Sequence, residues 1–137
     1  MIIDIALTNS VIELQALMQV PGPDCGAFVL FTGHVRDREN DAQIEGLVYE
    51  AYAGMAEKEM QRLALEIAEL HPVKRVVVRH RIGRIPVGET AIAISVTGAH
   101  RAHPMTFVQL FMDRLKQDVP IWKASTIPVS DHAPAIH

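Results

Sequence analysis

The sequence predicts an α+β domain in which a mixed or antiparallel sheet is covered by helices. Three observations lead there. Residues 26–32 (GAFVLFT) and 89–97 (ETAIAISVT) are apolar or alternate in the manner of strands. Met60, Leu63, Ala64 and Ile67, and again Phe107, Leu110, Phe111 and Leu115, recur at helical spacing. The elements follow one another as strand, helix, strand, strand, helix, strand, strand, helix, short strand.

Residues 2–6 are rich in Ile and alternate around Asp4, which reads as a strand. Thr8, Asn9 and Ser10 offer N-caps for a helix through about Met18, ended by Pro21-Gly22-Pro23. The run 26–32 suits a central strand buried on both faces. Gly33-His34-Val35-Arg36 leads from it into a polar loop, 37–43. Arg36 stands where strand gives way to loop, a common place for a binding residue, and is equally well explained as a solvated arginine. Residues 44–52 return as a strand across a connection too long for a tight hairpin. A helix over 55–70 follows. Its charges form a solvated face with Arg62 and Glu66 four apart, and His71-Pro72 stops it.

Residues 73–81 (VKRVVVRHR) form a β-branched strand, with Arg79, His80 and Arg81 read as outward charges on a half-exposed face. Turns at Gly83 and Pro86-Val87-Gly88 precede strand 89–97, where Ile92, Ile94 and Val96 share a face. Pro104 takes the first position of the last helix, with His103 at or near its N-cap. Val119-Pro120 ends that helix. Ile121-Trp122-Lys123 is extended, with Trp122 read as core, and residues 126–137 form an extended or frayed tail. The middle of this order is similar to a split βαβ, ferredoxin-like unit. By itself that carries no function.

The totals narrow the function. The 137 residues fit one domain. A net charge of −3 and 5% aromatic residues argue against a nucleic-acid surface. The lone Cys25 cannot form an internal disulfide and fits a reducing compartment. No apolar run approaches the roughly 20 residues of a membrane span, and the start lacks a basic, cleavable leader. A cytoplasmic protein is expected. The seven histidines make no HExxH pattern, there is no cysteine cluster, and no GxGxxG, Walker or GxSxG motif is present. No metal or other cofactor is expected.

The chemistry gathers about the last helix. With no strong cap side chain at its start, the first-turn N–H groups and the positive end of the dipole are open to an anion. Arg101 can add a bidentate fork, and His100 can move protons near neutral pH. Lys116 falls near the other end beside Met105, Gln109 and Met112. Partial desolvation there would fit it for general acid or base work; a snorkelling surface lysine is the simpler reading. Trp122 and Lys123 follow. A compact anionic small molecule suits this group, although ordinary surface pairing also explains His100 and Arg101.

Five segments then fall in one order: FTGHVRD at 31–37, YEAYAGMAEKEM at 49–60, HRIGRIPVGE at 80–89, TGAHR at 97–101 and FMDRLKQDVPIWK at 111–123. In them the chain resembles the large, catalytic subunits of molybdopterin synthase, the MoaE family, over roughly residues 26–123. The resemblance implies a MoaE-like fold, a ferredoxin-like core with insertions. It implies a sulfurtransferase that converts cyclic pyranopterin monophosphate (precursor Z) to dithiolene molybdopterin. It also implies partners: a small, ubiquitin-like, MoaD-like sulfur-carrier subunit, whose C-terminal Gly-Gly thiocarboxylate threads into a pocket, and a second copy of the chain. The assembly would be a homodimer core within a heterotetramer.

By position, Lys116 and Lys123 match the family's two catalytic lysines. His34, Val35 and Arg36 match one substrate-binding segment. His100 and Arg101 match another, which can reach the neighbouring protomer's site. Lys116 would be the main general acid/base, and Lys123 would hold the tail carboxylate or stabilise developing negative charge. The loop 37–43 and the C-terminal tail are candidate walls of the groove. The chain departs from the family after Trp122-Lys123, where a basic residue and a glutamate are usual. Ala124 and Ser125 stand there instead, as further substrate-binding candidates, and the usual later tryptophan-containing segment is missing. A non-catalytic adaptor for the small subunit's tail is the competing reading, and an unrelated anion-binding module is a third.

Overall fold

A computed structural model describes residues 1–19 and 22–130. In chain order the elements are β1 (Ile2–Thr8), α1 (Leu14–Leu17), β2 (Ala27–His34), β3 (Arg38–Glu39), β4 (Ala42–Ala51), α2 (Ala53–Leu70), β5 (Arg75–Arg81), β6 (Gly83–Pro86), β7 (Thr90–Gly98), α3 (Ala102–Asp118) and β8 (Ile121–Pro128). They build two sheets. The first has the order β1-β5-β7-β2; the second has β4 paired with β3, β6 and β8.

β7 runs antiparallel to both β2 and β5, so β2 and β5 are parallel with β7 between them, joined through α2. This is the split βαβ unit expected from the sequence. β1 adds to the far side of β5 in parallel register. Val76, Val78, Ile92, Ile94 and Val96 meet Met60, Leu63, Phe107 and Phe111 of α2 and α3 in the main core. Val77 and Ala93 point to the other face, onto Ile12 and Leu17. Burial on both faces fits the successive apolar residues Val76, Val77 and Val78 of β5 and Ala91, Ile92, Ala93 and Ile94 of β7. Phe107 and Phe111 are wholly buried, with ring centroids 6.2 Å apart. Each contributes about 1.5–3 kcal/mol by leaving water.

Several expectations are corrected. The first helix is a single turn with no side-chain cap. Thr8 belongs to β1, and its hydroxyl accepts from the Ser10 N–H instead of capping a helix. β2 is not central; it is an edge strand, half-buried along almost its whole length. Val29 and Phe31 pack against the main core and Leu30 against the cluster on the other face, each only partly buried. The polar stretch 37–43 is a tight hairpin, not a loose loop. Arg38 and Glu39 pair with Gln43 and Ala42 across Asn40-Asp41, both at positive φ (51° and 64°). Asn and Asp tolerate that conformation, which a two-residue turn of this hand requires.

His80 and Arg81 are buried, not outward. Arg81 donates to Glu89 at 2.6 Å, and Arg79 pairs with Asp4. α3 starts at Ala102 with Arg101 at the cap, so Pro104 lies inside the first turn and His103 within the helix. Trp122 is 38% exposed and so is not core. Residues 121–128 form one strand along β4, which continues the expected extended piece past Lys123 and makes 126–128 extended, one of the two readings of the tail. Pro21 and residues 131–137, the rest of the expected tail, lie outside the described residues.

Candidate functional site

A cleft of about 390 Å³ opens where the two sheets and the C-terminal end of α3 meet. Each wall follows from local structure. β2 ends at an irregularity between Gly33 and His34, which turns His34 onto the rim, where its Nε2 lies 2.9 Å from Thr32 Oγ1. α3 supplies Met112, Leu115 and Lys116. Lys116 sits in the last turn, where the negative end of the helix dipole favours a cation, and it is exposed. Its exposure agrees with the simpler reading of a surface lysine. Val119 ends the helix in extended conformation, and β8 then carries Trp122 and Lys123 along the opposite wall.

Lys123 pairs in register with Tyr49 of β4, and its Nζ donates to Glu39 Oε2 at 2.7 Å. The tight turn at Asn40-Asp41 thus has a role at the site, because it holds the strand bearing Glu39. Tyr49 is half-buried, and desolvation pushes its phenol up, opposed by the positive Lys123. The Tyr49 ring meets the His80 ring edge-on at 5.3 Å. Burial holds the His80 imidazole below the usual histidine range, opposed by a bond to the Arg81 carbonyl. Tyr52 packs on Trp122 at 5.1 Å and extends the aromatic rim.

Of the residues singled out from sequence, Lys116, Lys123 and His34 line this one cleft. The others do not. Val35 is buried with Ile44, Leu47, Ile85 and Ala91, and its N–H and carbonyl are bonded to Glu89 and Gly88. It has no free polar group and serves to fix His34 and Arg36 on either side. Arg36 is exposed just beyond the cleft, with no ion-pair partner among the described residues. Ala124 and Ser125 are exposed further along β8, Ser125 opposite Val48.

His100 and Arg101 are exposed at the start of α3, before a first turn that no side chain caps. At about 1.5 Å of rise per residue, Arg101 and Lys116 lie about 22 Å apart along that helix. One chain therefore does not bring these cations around one small molecule, contrary to the simplest reading of the sequence.

Glu39, Tyr49 and His80 are the site residues that the sequence reading missed. His80 had a legible signal, since 76, 78 and 80 fall on one face of a strand and the first two are core valines. Glu39 had none, because its place depends on how a hairpin folds back on β8. Among the described residues no three His, Cys, Asp or Glu side chains gather as a metal ion would need. No helix there is long and apolar enough to cross a membrane.

The profile of one family, described as MoaE protein, matches residues 7–118. A molybdopterin synthase catalytic subunit of Homo sapiens is 43% identical over 114 residues, covering 83% of this chain and 60% of its own length. The chain thus spans less than two thirds of that relative. The corresponding subunit of Pyrococcus abyssi is 37% identical over 109 residues, 80% of this chain and 74% of its own. The crystal structure of molybdopterin synthase from Staphylococcus aureus superposes with a TM-score of 0.83 at 33% identity, over 91% of each chain.

Proposed function

The chain belongs to the MoaE family, and we propose on that footing that it is the catalytic large subunit of a molybdopterin synthase. It would convert cyclic pyranopterin monophosphate to the dithiolene, taking sulfur from the thiocarboxylated C-terminus of a small ubiquitin-like carrier. The supporting observation is that Lys116 and Lys123, on different elements, open onto one cleft with His34. Its volume is in the range of small-molecule sites, about 300–1,000 Å³.

The chemistry fits the residues. A thiocarboxylate is already a nucleophile and needs proton transfers around it, not a metal. Lys116 at the open end of α3 moves protons at the pterin side chain. Lys123 leaves Glu39 and takes the negative charge of the carrier's terminus, exchanging one carboxylate for another. Arg36, exposed beside the cleft and without an ion-pair partner among the described residues, takes the substrate phosphate.

A second copy completes the site. A shallow apolar groove of about 400 Å³ lies between edge strand β2 and α3, lined by Val29, Leu30, Phe31, Met105, Val108 and Met112. A twofold axis crossing α3 near Val108 and Gln109 would lay two such helices antiparallel. It would bring the partner subunit's His100 and Arg101 beside Lys116, where they add to the phosphate site. We place the protein in the cytoplasm, where Cys25 stays reduced.

Reconstitution tests this reading. The chain, the thiocarboxylated carrier and cyclic pyranopterin monophosphate should together yield dithiolene, and Lys116→Ala should lower the rate about 10²–10⁴-fold. Carrier binding without product in the native chain would instead mark an adaptor. The adaptor reading drew on Ala124 and Ser125. Both are exposed outside the cleft walls, so their divergence leaves the two lysines in place.

A further inference from the structure

The one buried titratable side chain lining the cleft has no part in the steps above. His80 is 5% exposed and lines the cleft from the end of β5. Its Nδ1 lies 2.9 Å from the Arg81 carbonyl oxygen. A carbonyl only accepts, so Nδ1 carries the proton and Nε2 keeps its lone pair. Among the described residues Nε2 has no hydrogen-bond partner, yet the sole buried, unpartnered side-chain nitrogen or oxygen among them is Arg81 Nε. Nε2 therefore touches solvent, and the opening beside His80 is the cleft.

Tyr49, packed edge-on at 5.3 Å, fixes the ring. The other groups around the cleft are Lys116 from α3, Lys123 from β8 and His34 from β2; Arg79 and Arg81 flank it on β5. Burial among these groups keeps the imidazole neutral at pH 7, so it is available as a base.

We infer that His80 is the base for the hydrolysis that frees the carrier from the pterin, an inference that rests on the function proposed above. Once sulfur has bonded to the pterin, the carrier's terminal carbonyl carbon is held to it as a thioester. Water oxygen bonds to that carbon, and one water proton passes to His80 Nε2. The tetrahedral intermediate then collapses. The carbon–sulfur bond breaks with its electron pair on sulfur, and the pterin leaves as a thiolate. The carrier departs as a carboxylic acid that ionises in water, and the imidazolium returns its proton to solvent. Lys116 keeps the separate task of proton transfer at the pterin carbon.

The test is His80→Asn. The asparagine amide can stand where Nδ1–H stood and donate to the Arg81 carbonyl, but it places no base in the cleft. In single turnovers with thiocarboxylated carrier and cyclic pyranopterin monophosphate, H80N should add the first sulfur within about twofold of the native rate. It should release the carrier about 10²–10³-fold more slowly, so that a covalent carrier–pterin species accumulates by intact mass. In the native protein the release rate should fall as pH drops through the His80 titration, and H80N should lack that limb.

Release at the native rate with the same acid limb would overturn the assignment. If H80N does not fold, H80Q, with a non-basic amide reaching the cleft, is read the same way, adduct supporting the assignment and native release overturning it. A native chain that forms neither adduct nor dithiolene refutes the proposed function and this inference with it. The native arm thus separates that failure from failure at His80 alone.

Discussion

Lys123 and Glu39 form an ion pair that is partly open to water, with side chains 48% and 18% exposed. Such pairs are worth about 0.2–1 kcal/mol. On the proposed function an incoming carboxylate has to displace Glu39, so Glu39→Gln should tighten binding of the carrier's C-terminus about 2–5-fold by calorimetry. Weaker binding would show instead that Glu39 holds Lys123 ready. His80 has a second consequence, for stability. Its folded form resists protonation while the unfolded chain protonates in the usual histidine range. The unfolded state then binds more protons below that range, so stability is full above it and falls as pH drops toward the folded value. Melting of the native chain between pH 7 and 5 should show this loss, and H80N should show less of it. The exposed Asp24 and Glu59 carboxylates, held low by bonds to Lys74 and Arg62, lose their part only in the more acid carboxylate range. His80 was misjudged from sequence because its neighbours Arg79 and Arg81 are charged. Strand alternation is the stronger rule where two core valines precede it on the same face.

At the scale of elements, the longest helices and the central strands were legible because their apolar spacing is set by one core. The stripe Met60, Leu63, Ala64 and Ile67 is buried as expected, and Arg62 pairs with both Glu59 and Glu66. The failures came where tertiary context decides. Apolar β2 looks central from composition, but its place at an edge depends on pairing with β7 alone. α1 has cap-like residues ahead of it, but β1 continues through Thr8 to match Arg81 and leaves room for only one turn. The start of α3 is fixed by Gly98. A Cβ there would lie 2.7 Å from Pro104 Cγ, part of a stiff ring seated against the end of β7. Gly98→Ala should therefore push α3 off the sheet and cost about 1–3 kcal/mol in denaturant unfolding. An unchanged midpoint would show that the helix accommodates the methyl group. The cleft itself was half legible. The motif residues Lys116, Lys123 and His34 converge there, whereas the partners that shape their chemistry, Glu39 and Tyr49, come from pairings no local pattern encodes.

For the whole molecule, the length of α3 decides how many chains the proposed site needs. Arg101 and Lys116 stand at its opposite ends, so both can serve one substrate only if a second copy lends its helix start. Mixing two inactive variants checks this directly. In a mixed dimer of Lys116→Ala and Arg101→Ala chains, one of the two clefts receives both intact residues. An equal mixture should regain about a quarter of native activity after subunit exchange, since about half of the dimers are mixed. No recovery would place the two residues in one chain's service. The same geometry bears on gene dosage. If expression keeps the chain below its dimer dissociation constant, paired clefts rise with about the square of chain concentration. A cell that halves its supply would then retain only about a quarter of its paired clefts, so modest losses of synthesis would be felt steeply.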